Sequence, residues 1–367
     1  MNTQIQDKFT FKNGQAMRNR VVLAPMTICA SEPGGYVSQA DIDFFARRSR
    51  SVGMVITGST YVHPLGKSFA ESFSGAEDDK IEGLSRLAKA IKDQGALAIV
   101  QLYHGGRMVL PDLIDGQPVA PSAVKAPRDY LAEPRALKNA EVEQVIEDFL
   151  SAIRRAIQAG FDGVELHGAN TYLIQQFVSP HSNVRQDKWG GSLNNRLRFP
   201  KTLLKRAKQL VKEEADRPFL IGYRFSPEEI EEPGIQLYDT LKLLEQLIYH
   251  QVDYLHISTS DVWRSSIRDS QDSEPVIQKI IKKINGRVPL IGVGQIKTKQ
   301  DAQRVLDAGI PLFALGKALL LDPDWAEKVV SGREEEVIRA YRDELQADLA
   351  LPTAFVEDAR SYLEGKD

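Results

Sequence analysis

His167, Asn170 and Tyr172 carry more potential chemistry for their spacing than any other residues in the chain. The run Phe161-Asp162-Gly163-Val164-Glu165-Leu166 reads as a strand that ends at His167, and Asn170 and Tyr172 open the connection that follows. Imidazole and amide N–H groups at one strand end can hold a carbonyl oxygen while a neighbouring phenol supplies a proton. That is equipment for reducing a carbon–carbon double bond conjugated to a carbonyl, provided a hydride donor sits beside it.

Such a trio needs a rigid frame. Short apolar runs alternate with segments of helical period: Arg20–Met26, Gly53–Thr60, Leu97–Leu102, Gly163–His167, Phe219–Phe225, Tyr254–Ser258, Pro289–Val293 and Leu312–Gly316. Several are apolar throughout, the pattern of parallel strands buried on both faces. Between them, Val142, Val145, Ile146, Phe149, Ile153, Ala156 and Ile157 mark one apolar helical stripe. Similar stripes run through Leu84–Ile91, Leu203–Val211, Leu241–Ile248 and Val276–Ile284. Eight strand–helix units predict an α/β chain of the (β/α)8, or TIM barrel, class. An open doubly wound sheet is the competing reading, but no Gly-x-Gly-x-x-Gly follows the first strand.

The barrel is assigned to residues 1–332. Residues 103–139 form a Pro-interrupted insertion after the third strand, long enough to read as a lid. Residues 333–367 are read as a C-terminal helical extension, with a helix expected over Glu334–Leu349 and a break at Leu351-Pro352.

Active sites of this architecture lie at the carboxyl ends of the strands. The residues falling there are Pro25, Met26, Thr27, Ser59, Gln101, His167 with Asn170 and Tyr172, Arg224, Gly294, Gly316 and Lys317. The set is polar and hydrogen-bonding. It lacks the several carboxylates of a divalent-metal hydrolase, so no metal is expected. The last two strands end in Gly294 and in Gly316-Lys317, where glycine lets backbone N–H groups approach a phosphate.

Composition narrows the classes further. The formal charge of −3 over 367 residues comes without a basic stripe, so neither nucleic acid nor a membrane surface is an expected partner. The lone Cys29 excludes an intrachain disulfide and a cysteine-ligated cluster within one chain. No signal-like or membrane-spanning apolar segment is present, and a cytoplasmic location is the expectation. A monomer and a homo-oligomer are both compatible with the sequence.

Six motifs in order resemble one family. They are Ala24-Pro25-Met26-Thr27, Gln101-Leu102-Tyr103-His104-Gly105-Gly106-Arg107, His167-Gly168-Ala169-Asn170, Tyr172-Leu173-Ile174-Gln175-Gln176-Phe177, the stretch from Trp189-Gly190-Gly191 to Phe199, and Arg224-Phe225-Ser226-Pro227. Together they resemble the Old Yellow Enzyme family of FMN-dependent NAD(P)H oxidoreductases. The resemblance implies a non-covalent FMN, NADH or NADPH as reductant, and an activated alkene (an α,β-unsaturated carbonyl or nitro compound) as acceptor. It implies that Thr27 bonds the flavin C4 carbonyl and tunes N5, that Gln101 holds the pyrimidine edge, and that Arg224 stabilises the reduced ring. Pro25, Met26 and Ser59 would line the ring, and Gly294, Gly316 and Lys317 would hold the phosphate. His167 and Asn170 would grip the substrate oxygen, Tyr103 would shape the substrate pocket, and Tyr172 would protonate the α-carbon after hydride leaves N5.

Some residues depart from the family pattern. Gln295 and Lys317 stand where Gly and Arg are usual, Tyr103 follows Gln101-Leu102, and Thr27 replaces the cysteine of one branch. Two other readings compete. One is a 2,4-dienoyl-CoA-reductase-like flavin domain, though the cysteine cluster is missing. The other is a flavin-free phosphate-binding barrel of the isomerase or lyase kind. Trp189–Phe199 reads as a structural turn with Ser192 opening a helix and Arg196 or Arg198 ion-paired, and His104 as either a cofactor contact or a loop hydrogen bond.

Overall fold

In the computed structural model, which describes residues 3–364, eight parallel strands close into a barrel in sequence order. The outermost ends of the 1–332 and 333–367 units lie outside the described residues. The strands are β1 (Val21–Leu23), β2 (Met54–Tyr61), β3 (Leu97–Tyr103), β4 (Gly163–Gly168), β5 (Leu220–Phe225), β6 (Tyr254–Ile257), β7 (Leu290–Val293) and β8 (Leu312–Leu315). Each falls on one of the apolar runs. β1 is shorter than its run because residues 24–27 leave the ladder after Ala24 N–H bonds Leu315 O and then cross over Gly58.

Inward-facing rows change character along the barrel axis. Val22, Met54, Ile56, Ile99, Leu220, Ile291, Leu312 and Ala314 pack as an inner cluster, closed below by Phe11 and Met17 from a short antiparallel pairing of Phe9–Thr10 with Ala16–Met17. Two and four residues further along the same rows stand Gln101, Glu165 with His167, Arg224 and His256. The period of two that buries the apolar set therefore delivers the polar set to the carboxyl end.

Twelve helices follow in order, α1 (Gln39–Ser49), α2 (Ile81–Asp93), α3 (Asn139–Gln158), α4 (Leu173–Val178), α5 (Leu193–Arg196), α6 (Arg198–Glu214), α7 (Leu237–Tyr249), α8 (Val276–Ile284), α9 (Lys299–Asp307), α10 (Lys317–Leu321), α11 (Trp325–Val330) and α12 (Thr353–Glu364), counted among the described residues. Their apolar stripes meet the outer face of the sheet, with Leu87, Ile91, Ile146, Phe149, Ile153, Leu203 and Leu244 in one continuous core. Each such side chain contributes about 1.5–3 kcal/mol by leaving water. Ser38 and Asp41 form a reciprocal capping box that starts α1, and Thr298 with Asp301 does the same for α9.

The connection from Tyr103 to Asn139 is ordered by its own Arg107 and by Arg185 of a neighbouring loop. It holds two 3₁₀ turns, Gly106–Met108 and Pro111–Leu113, and a parallel pairing of Val119–Ala120 with Arg135–Ala136. Buried Arg107 donates to Val124 O and Lys125 O at 3.3 Å each, and Arg185 donates to Pro121 O at 2.7 Å.

The tail departs from expectation. No helix spans Glu334–Leu349. The segment makes only the 3₁₀ turns Glu334–Glu336 and Asp343–Leu345, and the helix of the tail, α12, starts just past Pro352. Barrel groups claim the backbone the helix would need. Asp322 Oδ2 accepts Ile338 N–H at 2.9 Å, Arg48 donates to Leu349 O at 2.9 Å, and Arg47 donates to Asp348 O at 3.1 Å. Pro352 has the fixed φ that suits a helix start. No described helix is long and apolar enough to cross a membrane, and no described group of His, Cys, Asp and Glu could hold a metal ion.

Candidate active site

At the end of β4 the backbone turns sharply. Asn170 and Thr171 both adopt left-handed conformations, φ 55° and 62°. Asparagine tolerates this region, but a β-branched threonine there is strained by about 1–3 kcal/mol and persists only where neighbours over-determine it. They do. Thr171 N–H donates to Gln175 Oε1 at 3.0 Å, Thr171 O accepts from Gln176 Nε2 at 2.7 Å, and Gln175 is itself held by Glu229 at 2.7 Å. Gly106 leaves room for this clamp, since a Cβ there would lie 2.2 Å from Gln176 Oε1. The paired glutamines of α4 thus fix the turn that aims the trio.

Secondary contacts decide which atoms the trio presents. His167 is buried, and its Nδ1 accepts Ala169 N–H at 3.3 Å, which leaves Nε2 as the N–H donor. Burial first, then the positive charge of Arg224, hold its pKa well below the usual histidine range, so the ring is neutral. Asn170 Oδ1 accepts from Ser258 Oγ at 2.7 Å, so its NH₂ is the end left free. Tyr172 sets its ring edge-on to His167 at 4.9 Å and to Tyr103 at 5.2 Å. Burial raises the Tyr172 phenol to about 12, against the opposing pull of Arg128 and Arg224, so it stays protonated at neutral pH.

Across the barrel mouth, Thr27 Oγ1 accepts Ser59 N–H at 3.1 Å, so the threonine hydroxyl has its own proton to donate. Gly58 makes that approach possible, because a Cβ there would meet Met26 O at 2.7 Å. Ser59 Oγ bonds Gln101 Oε1 at 3.2 Å. Arg224 is buried with no partner for its Nε, and its pKa is lowered by burial against the raising effect of Glu165. Gly294, φ 110°, packs on Ser260 and Asp261, and Gly316 opens toward Met26, whose sulfur is the nearest atom to a would-be Cβ at 3.5 Å. Pro25 and Met26 are half-buried between these groups.

Other residues stand elsewhere than expected or in plainer roles. Tyr103 is fully buried behind Tyr172 with its hydroxyl on Ser68 N–H at 2.9 Å, so it supports the pocket from behind. Lys317 donates to Tyr362 O and lies over the Tyr362 ring, which ties it to α12. His104 accepts Gly106 N–H at 3.0 Å within its own loop. Ser192 caps α5, while Arg196 and Arg198 tie the Trp189 turn chiefly through the carbonyls of Val178, Gly191 and Lys188. Ser258 and His256 carry no sequence signal of their own, whereas Glu165 is the carboxylate that the sequence offers as a partner for Arg224. Its place in the inward row of a barrel strand, two before His167, was the available signal.

A flavin suits these groups. Thr27 has a free hydroxyl proton, Gln101 offers an amide, the buried Arg224 Nε lacks a partner, and Gly316 leaves an open floor. Comparison with known proteins agrees. The model of the NADH:flavin oxidoreductase / NADH oxidase family matches residues 7–336. An NADH:fumarate oxidoreductase of Klebsiella pneumoniae is 47% identical over 340 residues, 92% of this chain, which spans only 37% of that protein's length. The probable NADH-dependent flavin oxidoreductase YqiG of Bacillus subtilis is 44% identical over 332 residues, 90% of this chain and 89% of that protein. The solved Old Yellow Enzyme homologue from Zymomonas mobilis superposes with a TM-score of 0.78 at 26% identity, covering 90% of this chain and 93% of that one. The chain belongs to the NADH:flavin oxidoreductase / NADH oxidase family, as an FMN-binding member of the Old Yellow Enzyme kind.

Proposed function

We propose that this chain reduces the double bond of an α,β-unsaturated carbonyl or nitro compound, with His167 and Asn170 as the oxyanion grip and Tyr172 as proton donor. The observation that carries the reading is the set of fixed donor atoms. Nδ1 of His167 and Oδ1 of Asn170 are both occupied by neighbours, so each side chain turns an N–H outward beside a protonated phenol. FMN, when bound, would supply the hydride-transfer chemistry, with NADH or NADPH as the source of the electrons.

Thr27, Gln101 and Arg224 would hold the flavin ring, with Pro25, Met26 and Ser59 lining it. Gly294 and Gly316 would meet the phosphate, joined by Lys317 once it leaves Tyr362. As hydride reaches the β-carbon, negative charge grows on the substrate oxygen. His167 Nε2–H and the Asn170 amide oppose it, each donor being worth about 3 kcal/mol in the transition state. Tyr172 Oη then gives its proton to the α-carbon on the opposite face. The 103–139 connection, which brings Arg128 within electrostatic reach of Tyr172, serves as the lid that excludes water.

Phenol titration tests the grip directly. His167→Ala combined with Asn170→Ala should leave a yellow protein whose affinity for a phenolate falls at least tenfold, about 1.4 kcal/mol. Unchanged phenolate affinity would refute the oxyanion assignment.

A further inference from the structure

Below the site, the barrel interior holds a carboxylate that the proposed reaction does not use. Glu165 and His256 are fully buried, with Glu165 Oε2 3.0 Å from His256 Nδ1. They belong to strands that are not neighbours, since β5 runs between β4 and β6. Gly222 of β5 stands in register with both Glu165 and Tyr254, and a Cβ there would lie 2.0 Å from the Tyr254 ring. That missing side chain clears the space through which β4 and β6 interact.

The second carboxylate oxygen, Oε1, accepts from Gln101 Nε2 at 2.8 Å. An ionised carboxylate can only accept, so it sets which end of the Gln101 amide faces it. The Gln101 carbonyl is left on the Ser59 side, where Ser59 Oγ donates at 3.2 Å. Burial pushes the Glu165 pKa up, but His256, Arg224 and Gln101 together hold it below the usual range. His256 stays neutral, lowered by burial and by Arg224 against the pull of Glu165. The pair is therefore a carboxylate held by an imidazole N–H, and its negative charge is the one set against buried Arg224.

Resting on the flavin reading above, we propose that Glu165 is a positioning residue for the cofactor end of the site. It fixes the orientation of Gln101, and it partly neutralises Arg224, which holds the FMN midpoint potential lower than Arg224 alone would set it. A positive charge beside a ring that gains electrons favours the reduced state, and a nearby negative charge opposes that effect.

Glu165→Gln removes the charge while keeping an acceptor for Gln101 and a polar partner for His256. Dye-equilibrated titration of the FMN holoprotein should show its potential rise, with the reduced-to-oxidised ratio shifted about tenfold, or about 30 mV for a two-electron couple. His256→Gln keeps the Glu165 charge and a donor to it, so its potential should stay near wild type. An unshifted potential in Glu165→Gln, or an equal rise in both variants, would overturn the proposal. Wild-type protein that binds no FMN would instead overturn the flavin reading on which it rests. If Glu165→Gln does not hold FMN, the reduced-minus-oxidised infrared difference spectrum of glutamate-labelled wild type decides. A response in the ionised-carboxylate region supports the proposal, and a protonated carboxyl signal or no carboxylate response overturns it.

Discussion

Ser258→Ala isolates the device that orients the oxyanion grip. The side chain of Asn170 is exposed, and its amide could present either end to a substrate. Ser258 Oγ–H donating to Oδ1 at 2.7 Å selects the NH₂ end. A neutral hydrogen bond of this kind is worth about 1 kcal/mol net, which sets a ceiling of about fivefold on what its loss can cost. Removing the donor itself with Asn170→Ala should cost far more, about 10²–10³-fold. Once Asn170 is gone, Ser258 has nothing to orient, so Ser258→Ala in that background should change the rate hardly at all. The assay is anaerobic stopped-flow reoxidation of reduced protein by 2-cyclohexenone, with flavin reduction by NADH or NADPH measured in parallel. The expected result is a two- to fivefold loss, about 0.4–1 kcal/mol, in the oxidative half-reaction alone. A full multiplicative loss in the double variant would refute the argument, because the serine would then act independently of the amide.

Tyr172→Phe should slow alkene reduction by about 10²-fold or more while leaving flavin reduction by the nicotinamide intact, and equal loss in both half-reactions would remove Tyr172 from the proton-donor role. Gly58→Ala should weaken FMN binding roughly tenfold, because a Cβ 2.7 Å from Met26 O pushes Thr27 away from Ser59; unchanged flavin fluorescence quenching would contradict this. Stability should fall on acidification through pH 6.5. Burial lowers His104 to about 3 and also holds His167 and His256 below their ordinary value, so the unfolded chain binds protons that the folded chain refuses. Each such imidazole contributes stability that is present above about pH 6.5 and lost at up to about 1.4 kcal/mol per pH unit below it. Asp41, raised to about 6 by burial, works in the opposite direction between its unfolded value and about pH 6, but three imidazoles outweigh one carboxyl. Urea unfolding at pH 5 and pH 7.5 checks this, and equal stability at both would contradict it.

The barrel was legible because its signal is local. Runs such as Val-Ile-Thr on β2 and Leu-Ile-Gly on β5 are buried on both faces, and the helical stripe of α3 has the period its packing needs. The trio was legible because its members lie within six residues on one strand end. What could not be read depends on partners distant in the chain. Ser258 reaches Asn170 across 88 positions, and His256 reaches Glu165 across 91. The tail misled for the same reason. Val337, Tyr341 and Leu349 have helical spacing, yet Arg47, Arg48 and Asp322 of the barrel capture the backbone around them. Lys317 likewise answers to Tyr362 of α12, a contact that its glycine neighbour does not announce.

The most direct test is the visible spectrum of the purified protein, before and after anaerobic NADH or NADPH and then with 2-cyclohexenone. The account predicts a yellow protein that bleaches with the nicotinamide and regains its colour with the enone. A protein that bleaches but stays reduced in the presence of the enone would contradict the alkene-reducing role, and one that stays colourless even with added FMN would contradict the flavin site itself.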